Sequence, residues 1–262
     1  MNENLVRIKR KNQTVIFIVV LTVFTYLSSV ITDFNILHGI ATLPEAIVWI
    51  FSNLVITEES LERLPTIVEK LIETILMSIA ATTTATIFSL ILGVMGSKTI
   101  GTSKALGVFA RFVASLSRNI PVVAWALILL LSFGQNSLTG YLALFVGSVG
   151  FLTRSFIEVI DEASQSAVVA LRATGATYVQ IIGKAVIPEC LPQMISWVLF
   201  MIETNIRNAT LVGILTGTGI GYSFDLYYKT MNYPGVALVT ISIVLAVILI
   251  ELLSNHVRKV IL

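Results

Sequence analysis

Cysteine, histidine and charge are what this sequence has least of. Its 262 residues hold one cysteine, Cys190, so no internal disulfide can form. The two histidines, His38 and His256, lie far from it and from each other, which excludes the clustered ligand spacing of a zinc site. Charged residues make up 12% of the chain, where soluble domains carry about 25%. The net charge of +2 is too small to imply a nucleic-acid partner. No Gly-x4-Gly-Lys-Ser/Thr loop is present; the nearest runs, Gly96-Ser97-Lys98-Thr99 and Gly183-Lys184-Ala185, lack the spacing that cradles nucleotide phosphates. The glycine run at 217–221 is not GxGxxG, and no strand precedes it, so a dinucleotide loop is excluded as well. There is no low-complexity segment and no inverted internal repeat of the transporter kind.

What remains is apolar. Hydrophobic residues make up 56% of the chain and the mean hydropathy is +0.91, a membrane composition. About 20 apolar residues cross the hydrocarbon core. Six spans meet or approach that length: 14–31, 73–95, 121–133 with part of the helix before it, 138–152, 190–204 and 234–253. Each is expected to be helical, because lipid offers no water to an open backbone. The fold class expected is therefore all-α integral membrane, with about six transmembrane helices. The first span has the basic start of a signal peptide, but its core is long and TYLSSVITDFN lacks a small-x-small cleavage site, so a retained helix is expected.

Lys and Arg set the orientation. With the N-terminus inside, the inner segments hold thirteen of the seventeen basic residues, from Arg7 to Lys11, Lys98 to Arg118, Arg154 to Lys184, and Arg258 with Lys259. Both termini inside agrees with an even number of spans. Residues 1–70 are expected to form a first helix and an outer segment, in which 43–55 is an amphipathic helix either lying on the membrane face or packed as an outer helix. Residues 71–262 are expected to form the core.

The largest inner loop, 154–188, contains ALRATGATYVQIIGKAVIPE at 170–189. Two short helical pieces meet at Gly175, since glycine takes a left-handed conformation without steric cost, and Pro188 marks entry to the fifth span. Such a knob either presses into a groove of a cytosolic partner or merely connects two spans. The stretch resembles the EAA loop of ABC importer permeases: Glu-Ala-Ala, three residues, glycine, then a proline about a dozen residues on. Here Ala170, Gly175 and Pro188 match, while Val169 stands at the acidic position and Leu171 at the second alanine. IETNIRNATLVGILTGTGIG at 202–221, RNIPVVAWALILL at 118–130 and ETILMSIAATTTATIFSLILG at 73–93 are similar to the permease subunit of phosphonate importers, a likeness running from about residue 60 to the C-terminus.

That resemblance implies a type I ABC importer. Two permease copies, expected to be a homodimer, would form the pore in the lipid bilayer. A cytoplasmic ABC ATPase dimer would dock on the loop at 158–188, near Ala170, Leu171, Gly175 and Ala176, and would hold the ATP and magnesium. An extracytoplasmic binding protein would deliver, and choose, the substrate. This chain would bind no cofactor and would not be an enzyme. Val169 puts in doubt any ion pair made at that position with the ATPase.

Glu203, Asn205, Arg207, Asn208 and Thr210 make the end of the fifth span unusually polar. Glu203 and Arg207 are four apart and share a helix face. A charge at mid-bilayer costs about 2.5–3.5 kcal/mol on insertion scales, so it faces protein or water. Either these residues pair at the outer interface, or they line the pore, with Arg207 briefly meeting an anionic substrate. Gly217, Gly219 and Gly221 follow; by resemblance they form a re-entrant segment near an outer gate, and by residue type alone an outer loop serves equally. Thr210, Thr216 and Thr218 offer hydroxyls to an oxyanion or cap helices. Ser78 and Thr82 to Thr84 read as a helix-packing face, Trp125 and Trp197 as packing or interface residues, and Glu251 with His256 as an inner-end polar contact. Rival readings are the permease of another ABC importer, such as one for methionine, an ATPase-independent secondary transporter with Glu203 and Glu251 as its carboxylates, and a membrane scaffold.

Overall fold

The computed structural model describes residues 3–163 and 165–261, and every regular element among them is helical. In chain order these are α1 (Glu3–Ile31), α2 (Ile36–Asn53), the one-turn α3 (Glu58–Leu61), α4 (Leu64–Gly96), α5 (Lys104–Asn119), α6 (Val122–Phe133), α7 (Ser137–Ala163), α8 (Gln165–Ala173), α9 (Tyr178–Ile181), a π-helical turn (Ile182–Val186), α10 (Ile187–Thr216), α11 (Gly219–Lys229) and α12 (Tyr233–Ile261). The chain divides into two units, Met1–Leu54 and Val55–Leu262.

In the first unit, α1 exposes nearly all its side chains from Val15 to Ile31. Such a surface is stable only against lipid or another protein. At the start of α2 the Asn35 side chain caps the helix, accepting from the His38 N–H at 3.0 Å. The helix covers 36–53, with Pro44 inside it, where the sequence suggested 43–55.

In the second unit, small residues decide how helices meet. Thr74, Ser78, Ala81, Thr82, Ala85, Ser89, Gly93 and Gly96 are buried at three- and four-residue spacing on α4, so one stripe of α4 lets a neighbouring backbone approach closely. That neighbour is α7, most of which is buried. Ser78 and Thr82 return their protons to the carbonyls of Thr74 and Ser78, both at 2.8 Å, so their hydroxyls enter an apolar interior already satisfied. Thr83, expected on the same face, is exposed instead.

Among the described residues six helices are long and apolar enough to cross a membrane by length and composition: 9–31, 36–53, 64–96, 137–162, 178–216 and 233–260. These differ from the expected six. α2 is included as the least apolar. The span expected at 121–133 with part of the helix before it is a bent pair, because α6 alone has twelve residues, about 18 Å of helix against a core of about 30 Å. α6 meets α5 at 93°. Pro121 supplies no N–H, and Ile120 before it is extended at φ −93°, ψ 122°, so the helix breaks there. Taken together, α5 and α6 are long and apolar enough for one bent span. α10 is longer than expected, running through the polar residues to Thr216.

Candidate functional site

The knob is built from α8, α9 and the turn between them. α8 ends in a Schellman motif: the Ala176 N–H donates to the Leu171 carbonyl and the Gly175 N–H to the Arg172 carbonyl, both at 3.1 Å. Gly175 sits at φ +79° with open space where a Cβ would lie. Its requirement is therefore conformational, worth about 1–2 kcal/mol for a left-handed residue. The Thr177 N–H donates to Gln180 Oε1 at 2.8 Å and opens α9.

One side of the knob is anchored. Val168, Ile181 and Val186 are buried in the same apolar cluster as Phe156, Ile160 and Cys190. Each such side chain contributes about 1.5–3 kcal/mol relative to exposure. The other side is open: Val169 is 62% exposed and Val179 77%. Of the four expected docking residues, Ala170 and Gly175 face outward, while Leu171 and Ala176 are half-buried against the cluster.

A polar brace, not expected from the sequence, ties the knob to the α4–α5 turn. Asp161 Oδ1 accepts from the Ser97 hydroxyl at 2.5 Å, the Lys98 N–H at 2.9 Å and the Thr99 N–H at 3.0 Å. From the far side Arg172 donates to the Thr99 carbonyl at 2.8 Å. The turn is thus held by the end of α7 and by α8 at once.

The polar residues of α10 lie in the middle of the helix. Fully buried Asn205 donates through Nδ2 to Thr82 Oγ1 at 2.9 Å and to Ser148 Oγ at 2.6 Å, linking α10 to α4 and α7. Ser148 spends its own proton on the Leu144 carbonyl at 2.7 Å, as Thr82 does on Ser78, so both hydroxyls can only accept. That fixes the amide orientation. It also leaves Asn205 Oδ1 without a hydrogen-bond partner among the described residues.

Glu203 is buried, and its Oε1 lies 3.0 Å from the Arg207 guanidinium, whose side chain is 50% exposed. Its Oε2 lies 4.0 Å from Arg258 of α12, a residue that the sequence offered only as an inner charge. Fifty-five positions of chain separate that pair, and no periodicity connects them. Asn208 and Thr210 are half-buried, Thr210 donating to the Ile206 carbonyl at 3.3 Å.

The glycines after α10 form a tight helix–turn–helix rather than a loop. Gly217 at φ +68° and Gly219 at φ +59° reverse the chain, and the Thr216 and Thr218 hydroxyls meet at 2.9 Å. α11 then packs back on α10 so closely that a Cβ on Gly221 would overlap the Thr210 carbonyl oxygen. The Ile220 N–H donates to Thr74 Oγ1 at 2.8 Å, fastening the turn to α4. Trp125 donates to the Ser117 carbonyl at 3.3 Å, and Trp197 packs edge-on against Phe151 and Phe200. Glu251 and His256 are both exposed. Among the described residues no cluster of His, Cys, Asp or Glu could hold a metal ion.

Long apolar helices, a braced surface knob and a charged helix face beside a hydroxyl-lined core define a polytopic membrane transport component. The chain belongs to the family of binding-protein-dependent transport system inner membrane components, which matches residues 85–261, more than half of its length. It is an integral, multi-pass inner-membrane permease and not an enzyme. Among curated relatives it is 31% identical over 192 residues to the phosphite transport system permease protein PtxC of Stutzerimonas stutzeri, covering 73% of this chain and 70% of that one. It is 29% identical over 192 residues to the phosphate-import permease protein PhnE of Mycolicibacterium smegmatis, covering 73% of this chain but only 36% of that one. Among solved structures it shares the fold of a chain of the inward-facing MetNI methionine ABC transporter, with a TM-score of 0.70 at 21% identity, covering 79% of this chain and all of that one.

Proposed function

We propose that this chain is the pore subunit of an ATP-driven importer that moves a phosphorus oxyanion (phosphonate, phosphite or phosphate) by alternating access. The observation that carries this reading is the Arg207 guanidinium. It is half-exposed in the middle of an apolar helix and held at 3.0 Å by the buried Glu203. A cation placed at that depth meets an anion in transit. Its carboxylate partner keeps the encounter weak, as release demands. The likeness to permeases named for phosphite and phosphate supports the substrate class.

In this reading α2, the least apolar of the long helices, lies at the membrane face, and α5 with α6 crosses as one bent span. The count is then six, with both termini inside. The knob faces the cytosol and receives an ATPase dimer, which holds the ATP and magnesium. Val169 and Val179 supply apolar contacts where an acidic residue is missing. A second copy of the chain completes the pore, and an extracytoplasmic binding protein supplies the substrate. Alternating access is the two-state element that ATP binding biases through the knob.

The fold shared with a methionine importer favours a second reading, a methionine permease. Proteoliposomes carrying the chain, its ATPase and its binding protein separate the two. Uptake of phosphonate, phosphite or phosphate that stops without ATP is the expected result. Uptake of methionine alone contradicts the substrate class, and uptake without ATP contradicts the energy source.

A further inference from the structure

Arg258, in the last turns of α12, has a side chain only 26% exposed and is poorly satisfied for a cation. Its Nη1 has a long hydrogen bond of 3.4 Å to Asn255. Its Nε and Nη2 are shielded from solvent and have no hydrogen-bond partner among the described residues; Nη2 stands 4.0 Å from Glu203 Oε2, beyond hydrogen-bond reach. A guanidinium carries five donors in a fixed fork suited to an oxyanion. Leaving charged donors shielded and unmet is destabilising, so the arrangement suits an acceptor that comes and goes.

Room for one lies alongside. A cavity of about 230 Å³ is lined by Arg258, Gln193, Ser196, Trp197 and Phe200. The Ser196 hydroxyl is another shielded polar atom without a partner among the described residues. On α10, Ser196, Phe200, Glu203 and Arg207 follow one another at spacings of four, three and four, so they form a single stripe. Ser196 lies about 10 Å along the helix from Glu203 at 1.5 Å per residue. The Glu203 carboxylate has one oxygen on Arg207 and the other toward Arg258.

We propose that Arg258 and Ser196 form a second oxyanion contact, to which the anion passes from Arg207 on its way to release, with Glu203 as the counter-ion shared by both arginines. This rests on the importer reading above. Two guanidinium charges and one carboxylate leave the cluster at net +1. That attracts an anion, while the competing carboxylate keeps its stay short. Trp197 and Phe200 give the cavity an apolar wall, so an organic substituent on the phosphorus fits here better than a bare phosphate.

The test uses the complete complex with its ATPase, free of nucleotide and stripped of anionic lipid, titrated with methylphosphonate by calorimetry. Arg258→Gln is expected to weaken binding tenfold or more, with partial recovery in Arg258→Lys. Glu203→Gln is expected to tighten binding several-fold and slow uptake. Wild-type affinity in Arg258→Gln overturns the proposal. If Arg258→Gln does not assemble, unchanged affinity in both Arg258→Lys and Glu203→Gln overturns it equally. Phosphatidylglycerol that co-purifies only when Arg258 is present, with uptake unaffected by Arg258→Gln, assigns the site to a lipid headgroup and also overturns it. A wild-type complex without ATP-driven uptake of any phosphorus oxyanion removes the importer reading itself. Normal wild-type uptake with an unaffected Arg258→Gln removes this inference alone.

Discussion

The Asp161 carboxylate accepts the Ser97 hydroxyl proton at 2.5 Å across 64 positions of chain. Two backbone N–H groups of the same turn share that carboxylate oxygen. The end of α7 and the α4–α5 turn therefore move as one piece, and Arg172 adds α8 to it. The two helices joined there also carry the hydroxyls that hold Asn205, Thr82 on α4 and Ser148 on α7.

Removing the brace should uncouple rather than unfold. Asp161→Ala takes the acceptor from the Ser97 hydroxyl and the Lys98 N–H, while the Thr99 N–H keeps Ser97 Oγ at 3.1 Å; at a partly wet site the loss is about 1–3 kcal/mol. The purified complex should melt a few degrees lower, and substrate-stimulated ATP hydrolysis should fall further than basal hydrolysis. Asp161→Asn, which keeps an acceptor, should recover most of both. Equal loss of basal and stimulated hydrolysis would argue against the brace as a transmitter.

Asn205 gives a sharper pair of outcomes. Thr82 and Ser148 can only accept at this site, because their protons are already committed. Asn205→Asp would face two acceptors with a buried carboxylate, a penalty of several kcal/mol. Little folded protein should reach the membrane. Asn205→Leu removes the amide together with its unmet oxygen and keeps the volume, so it should stay within about 1.5 kcal/mol of wild type. Membrane levels and melting temperatures of the two variants decide; equal behaviour would refute the hydrogen-bond assignment.

Much of this was legible in advance because it is local. Apolar runs gave the helices, and Gly175 between two helical patterns gave the knob, since a Schellman motif is written in a few adjacent residues. The bend at Pro121 was read only as a boundary, because twelve apolar residues carry no information about angle. α10 was cut short at its polar residues, although Glu203 and Asn205 are shielded by protein, not placed in water. Asp161 with Ser97, and Glu203 with Arg258, were invisible because their partners lie far away in sequence. A span reading sees a charge without seeing what answers it.

Close packing at Gly221 should tolerate no side chain. A Cβ there would meet the Thr210 carbonyl and the backbone of Gly213 and Ile214, none of which can swing aside. Gly221→Ala should cost about 1–3 kcal/mol and loosen α11 from α10. Hydrogen exchange should then rise in 216–229 before it rises in α7. Unchanged exchange in that segment would contradict the packing described.

The outward face of the knob should matter for docking and little for folding. Val179→Asp places a charge at an exposed position, so its melting temperature should stay near wild type while ATPase association falls at least tenfold. Gly175→Ala meets no atom and should show only the strain of its left-handed backbone, about 1 kcal/mol. Its effect on coupling should be the smaller of the two.

Co-purification tests the central claim most directly. The chain is expressed with a neighbouring ATPase and purified in detergent, and ATP hydrolysis is measured with and without binding protein loaded with phosphonate. A stable complex whose hydrolysis rises with the loaded binding protein is the predicted result. A well-behaved chain that retains no ATPase would contradict the account, leaving the knob a connector and the energy source elsewhere.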